Sequence, residues 1–167
     1  DPDTFRKCMF ALCFTHAAVM ERSLYGELGW NQSVNVDDFD LKYCIVHLRD
    51  VLDEFDMVTV KSIRQLVRDL MYAGRMMDTH DLTTVEALLL NYLPDQLVRY
   101  GLEYTDDGVY VTPNAVETES YVSYVDSLPA VAPAELFGLP HAADRQRLVA
   151  MTDFCLEKLQ ETQNLIW

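Results

Sequence analysis

The side chains in this sequence that could do chemistry are few and far apart. Cys13 and His16 stand three apart, a spacing that places both on one side of a helix. Such a pair could supply a nucleophile and its base, or two ligands of a zinc ion completed from elsewhere. Structural zinc sites normally draw on paired ligands, and Cys8, Cys13, Cys44 and Cys155 form no CxxC pair. Free, buried thiols in a reducing compartment are therefore expected. His16 falls in an apolar stripe, where a core histidine hydrogen-bonded to a neighbour is expected. Two runs gather carboxylates that could be read as cation sites. Val36-Asp37-Asp38-Phe39-Asp40 is better explained as a helix start capped by Asp37 or Asp38, and Tyr104-Thr105-Asp106-Asp107-Gly108 as an exposed turn. GxxxxGK[ST], GxSxG, HExxH and EF-hand patterns do not occur, and with 6 glycines no phosphate-cradling loop is evident. The expectation is a chain with no catalytic, cofactor-binding or metal residues.

The elements that would position these groups are mainly helical. Thr4 to Leu24 reads as a helix apolar nearly all round, with Phe5, Cys8, Met9, Leu12, His16, Val19 and Met20 on one face and Phe10, Ala11, Phe14 and Ala18 on the other. Such a helix is central in its domain. Tyr25 to Asn31 then turns the chain with two glycines, and Trp30 is expected to plug the joint. Leu41, Cys44, Ile45, Leu48, Leu52 and Phe55 form the stripe of an amphipathic second helix, with Tyr43 and His47 on its polar side. Thr59 caps a third, which Gly74 is placed to end in a left-handed conformation. A fourth begins near Asp78 to Asp81 and stops before Pro94.

After residue 100 the texture changes. Leu102-Glu103-Tyr104 and Val109-Tyr110-Val111 flank an Asp-Gly turn and read as a small hairpin. A short helix from Thr118 to Ser127 follows, then one helical turn at Ala134 to Gly138 among prolines. A last helix from Ala142 carries the heptad seam Leu148, Thr152, Cys155, Leu159, Thr162 and Ile166, expected to pack against the domain. The fold expected is mainly α, a helical bundle with one small β-hairpin and a long C-terminal helix.

The 167 residues are 50% hydrophobic, enough for one or two small domains, and carry 13 basic against 27 acidic side chains, a net charge of −14. That balance argues against nucleic acid and anionic membranes as partners. No run is long enough to span a bilayer and no signal peptide is visible. The chain opens without Met and stops at Leu165-Ile166-Trp167, as an excised fragment would.

Several landmarks occur in one order. Phe10-Ala11-Leu12-Cys13-Phe14-Thr15-His16-Ala17 precedes Glu21-Arg22 and Tyr25-Gly26-Glu27-Leu28-Gly29-Trp30-Asn31. Asp38-Phe39-Asp40-Leu41, Leu52-Asp53-Glu54-Phe55 and Tyr72-Ala73-Gly74-Arg75-Met76-Met77-Asp78 follow. Then come Gly108-Val109-Tyr110, Tyr121 to Pro129, Pro133 to Leu139 and Leu159-Gln160-Glu161-Thr162. The ordered set resembles the dynein heavy chain, at the helical lid of its sixth AAA+ module and the entry into the C-terminal domain. Ala73, Met76 and Met77 depart from the Gly-Gly-Arg-Val-Thr-Asp run of the family pattern, and His80 stands where a tryptophan is usual.

The resemblance implies an AAA+ lid-type subdomain over 1–100, and over 101–167 the hairpin, short helices and start of the C-terminal domain. It implies a non-catalytic part of an ATP-driven, minus-end-directed microtubule motor, helping to close the ring and transmit rearrangement, with hydrolysis in other modules. The implied partners are the rest of the ring and, through the parent chain, dynein intermediate and light chains and microtubules. The implied setting is the cytoskeleton, in a cilium or flagellum axoneme. AAA+ lids sometimes hold a sensor-type arginine. Arg75 is the candidate here, with a structural salt bridge or helix-terminus contact as its favoured role. His16, Trp30, Asp38, Gly74, Arg75 and Asp78 are the structural or interface candidates. Two other readings remain: a free-standing acidic helical adaptor for a basic protein partner, and an enzyme resting on Cys13 and His16. An apolar patch is expected where the rest of a ring would dock.

Overall fold

A computed structural model describes residues 2–55, 57–100 and 102–166, without the side chains of 99, 100 and 164–166. It is mainly α. Helix α1 (Pro2–Arg22) runs through the middle and leads into a 3₁₀ turn, Ser23–Leu28. Around it lie α2 (Asp38–Glu54), α3 (Val60–Val67), α4 (Thr79–Tyr92) and the short α5 (Leu97–Tyr100), the last not foreseen from the sequence. Helix α6 (Thr118–Ser127), a 3₁₀ turn at Ala134–Phe137 and α7 (Ala143–Ile166) complete the order.

The central position of α1 follows from its composition. Cys8, Ala11, Leu12, Thr15, Ala18 and Val19 are buried, and Thr15 returns its hydroxyl to the Ala11 carbonyl at 2.7 Å, so its polar atom needs no other partner. They join Cys44 and Leu48 of α2, Ile63 and Val67 of α3, and Val85 and Leu89 of α4 in one core. Each fully buried aliphatic side chain of this kind contributes about 1.5–3 kcal/mol. Met20, expected on the core face, is exposed at the end of the stripe.

Three helix starts are fixed by side-chain caps. Asp37, rather than Asp38, caps α2 in a reciprocal box: its carboxylate accepts from Phe39 N and Asp40 N, and Asp40 accepts from Asp37 N. Thr59 accepts from Ser62 N at α3, and Asp78 from His80 N and Asp81 N at α4. The end of α3 departs from expectation. The chain widens into a π turn over Arg68–Tyr72, and Arg75 N and Met76 N both donate to Tyr72 O. This closes the helix without a left-handed residue, so Gly74 does not adopt positive φ.

The expected hairpin contracts to one antiparallel bridge, Glu103 with Val111, flanked by bonds from Tyr104 N to Tyr110 O and from Thr112 N to Leu102 O. Its outer edge is finished by α6 rather than by a strand. The Tyr124 hydroxyl accepts from Val111 N at 2.7 Å and donates to Val109 O at 3.1 Å. The segment is fastened to α1 by rings: Phe14 stacks on Tyr104 with centroids 4.3 Å apart, and Phe10 meets Tyr121 and Tyr124.

Helix α7 packs differently from its expectation. Its first turns lie on the 3₁₀ turn after α1, where Asp144 accepts from the Tyr25 hydroxyl and the Arg147 guanidinium stands over the Tyr25 ring. Beyond Arg147 the seam positions Leu148, Thr152, Cys155, Leu159 and Thr162 are exposed, because nothing described lies against them. The side chain of Ile166 lies outside the described residues.

Candidate functional site

The densest polar construction lies where α1 ends, and most of it was not legible beforehand. Gly26 takes φ 59 and ψ −136, a conformation open essentially to glycine alone. It folds the chain back until Gly29 touches the Arg22 carbonyl. Arg22 is buried there: its Nε donates to Gly29 O at 2.7 Å, a terminal nitrogen donates to Phe137 O, and its plane lies 5.1 Å from the Trp30 ring centre. Burial lowers its pKa, against the pull of Tyr92 and Asp81. Trp30 sits in the joint as expected, with Nε1 donating to Val19 O at 3.1 Å. Asp81, also buried, accepts from Asn31 N at 3.0 Å and Gln32 N at 3.1 Å. Asp78, besides capping α4, accepts from the Asn31 amide at 3.2 Å. Those donors, led by Asp81 N, hold the Asp78 carboxyl below its ordinary pKa. One joint thereby locks α1, α4 and the Ala134–Phe137 turn, and the Tyr92 hydroxyl adds a bond to Leu136 O.

A second construction gathers candidates far apart in sequence. His16 is buried on α1, with Nε2 3.7 Å from Asp38 Oδ1 at the start of α2, while its Nδ1 has no partner. The expected core histidine is in place, but the well-formed hydrogen bond is not. Burial lowers the His16 pKa, with Asp38, Asp40 and Asp37 opposing. Arg75 ties the end of the π turn to the same helix start through Asp40 at 2.7 Å. Asp37 is held below its ordinary pKa by the N–H groups of Asp40 and Phe39.

The thiols are placed for packing. Burial pushes Cys8 up to about 11 and Cys44 to about 12, and raises Cys13. No bond joins Cys13 to His16 among the described residues. Cys155, expected buried, is exposed on α7. On the surface, His141 Nδ1 lies 3.0 Å from Glu135 and 3.9 Å from Asp144, an exposed set that ordinary ion pairing accounts for. A shallow apolar depression of about 230 Å³ opens beside Phe14, Leu128, Pro129, Leu136 and Phe137.

Both constructions fasten helices to one another through backbone carbonyls, capped helix starts and buried rings, which makes the protein a helical scaffold. The family description for the dynein heavy chain AAA lid domain matches residues 5–143, and the chain belongs to that family. Human dynein axonemal heavy chain 12 is 30% identical over 178 residues, covering 98% of this chain and 6% of that protein. Mouse dynein axonemal heavy chain 3 is 31% identical over 143 residues, covering 86% of this chain and 4% of that protein. Mouse dynein axonemal heavy chain 1 is 30% identical over 136 residues, 81% of this chain and 3% of its own. The chain thus spans a small fraction of the relatives it matches. Among the described residues no helix is long and apolar enough to cross a membrane.

Proposed function

We propose that the chain is a non-catalytic structural part of an axonemal dynein heavy chain, the lid of its sixth AAA+ module leading into the C-terminal domain. In this reading residues 1–100 form the lid proper, and 101–167 carry the chain onward. The parent motor is an ATPase through other modules and acts on microtubules in a cilium or flagellum, with intermediate and light chains as its further partners. The lid closes the ring and passes rearrangement between its neighbours.

The observation that carries this reading is the part of α7 beyond Arg147. Leu148, Val149, Met151, Leu156 and Leu159 are all exposed and fall on an apolar arc about 160° wide. A helix left uncovered from Leu148 onward has, in this reading, its packing surface on another part of the same motor. Arg75 serves the lid as a strut to Asp40, and His16, Trp30, Asp38 and Asp78 as joint residues, while Gly74 makes no joint contact.

Two measurements test the reading. An immunoblot of source cells with an antibody to this segment is expected to give one very large band, and a band near 19 kDa would overturn it. Calorimetry of the isolated chain with ATP is expected to give no binding; tight stoichiometric binding would count against a non-catalytic lid.

A further inference from the structure

Helix α2 has a second face that the core does not use. Cys44 and Leu48 define its buried side. On the opposite side Phe39, Tyr43, Val46, Asp50, Asp53 and Glu54 follow one another at helical spacing within an arc about 100° wide. The first three are large, apolar and exposed, Phe39 by 75%, Tyr43 by 52% and Val46 by 57%. The last three are exposed carboxylates, and none of them is ion-paired among the described residues. The stripe is therefore divided along the helix, apolar at its start and acidic at its end.

Both halves run against local rules. Three carboxylates crowd the C-terminal turns, where the helix dipole favours cations and α2 has no basic residue in its last turn. Phe39 lies in the first turn, exposed beside the capping box. Local rules broken without compensation inside the fold mark surfaces shaped by something outside it.

We propose that this outer face of α2 is a docking surface for a basic protein segment, one with an apolar pocket for Phe39 and Tyr43 and with Lys or Arg side chains set opposite Asp50, Asp53 and Glu54. Charge complementarity selects that occupant. A second copy of this face would leave the carboxylates unpaired in an antiparallel pairing and bring them together in a parallel one, and an anionic surface would be repelled by them. The inference rests on α2 alone and stands apart from the uncovered arc of α7.

The probe is a synthetic amphipathic helical peptide of Leu and Lys, titrated against the whole chain by fluorescence anisotropy at about 20 mM and about 200 mM salt. One-to-one binding is expected, weaker by about tenfold or more at the higher salt. The triple variant Asp50→Asn, Asp53→Asn, Glu54→Gln is expected to lose about tenfold in affinity at low salt and most of the salt dependence. The Phe39→Ala, Tyr43→Ala variant is expected to lose about tenfold at both salts. All five side chains are exposed, so the unfolding midpoints of these variants should match the parent's, and the Leu148→Ser, Leu159→Ser variant should bind as the parent does. The proposal is overturned by absence of binding at either salt, or by binding that α7 changes abolish and α2 changes do not. Self-association of the chain that Phe39→Ala removes would also overturn it, by making a second copy the occupant.

Discussion

Arg22 and Gly29 touch twice. A Cβ at Gly29 would lie 1.9 Å from the Arg22 carbonyl oxygen, and the Arg22 side chain returns to donate from Nε to Gly29 O at 2.7 Å. The first contact is backbone to backbone, so no rotamer change relieves it. Gly29→Ala is therefore expected to destabilise the chain by about 3 kcal/mol or more, read from urea unfolding. A loss under about 0.5 kcal/mol would mean that this turn is not closed as described.

Arg22→Lys tests the other half of the contact. Lysine keeps the charge but cannot reach Gly29 O and Phe137 O from one planar group while lying against Trp30. A loss of about 2 kcal/mol is expected, together with a shift in tryptophan fluorescence as the face of Trp30 is uncovered. Parent-like stability and emission would show that charge alone suffices at this joint.

Gly74→Ala should behave in the opposite way. Its φ is not positive, and a Cβ there meets nothing within 4 Å. Removing backbone freedom from the unfolded chain is then the dominant effect, and stability is expected to rise by about 0.4–1 kcal/mol. A left-handed Gly74 would give a loss instead, so the sign of the change in urea midpoint decides between the two conformations.

That pair of glycines marks where the sequence was legible and where it was not. Caps at Asp37, Thr59 and Asp78 use partners two or three residues away, and the helices they start were readable. Gly26 and Gly29 point to a joint at Trp30 and Arg75 is legible as an ion-pair residue, whereas Asp38 is not the cap and only approaches His16 at 3.7 Å. Arg22 and Asp81 were missed as joint residues because their partners are backbone atoms. Those partners are delivered by a turn whose geometry no periodicity encodes, and for Arg22 one of them lies 115 residues away. The π turn after α3 was hidden for a similar reason: Leu66, Val67 and Leu70 fit an unbroken α-helix as well. On α7 the heptad seam is a repeat in the sequence that the fold does not use, because a pattern states only that a face could be covered, not that this chain covers it.

His16 gives the chain an acid sensitivity of definite sign. Burial holds its folded pKa below 6.5, despite Asp38, Asp40 and Asp37, so between 6.5 and that lower value the unfolded chain binds a proton that the folded chain refuses. Stability is expected to fall as pH drops through this window. The Asp37 and Asp78 carboxyls act lower down: held below 3.8, they contribute above that value, and their contribution is lost only as pH falls through their folded pKa. Urea midpoints measured from about pH 7 to about pH 3 should decline between about pH 7 and about pH 5 in the parent and flatten there in His16→Gln, with the fall below about pH 4 retained. An unchanged slope in His16→Gln would assign the upper window to another group.

Helix α7 divides at Arg147, and two truncations should divide with it. Up to that residue the helix is fastened to Tyr25 by Asp144 and by the Arg147 guanidinium, which also lies 3.7 Å from Glu21. From Met151 to Gln163 every described side chain is exposed. A chain ending at Ala150 should unfold within about 2 °C of the parent, because removing side chains that touch nothing costs the fold little. It should also bind less apolar dye, since the removed segment carries Met151, Leu156 and Leu159. A chain ending at Ala142 should lose about 4 °C or more, since the buried Ala143 and Arg147 leave with it and uncover Tyr25. If ending the chain at Ala150 lowered the midpoint that far, the distal helix would have to pack on the domain in solution, and the uncovered arc on which the motor reading leans would not exist.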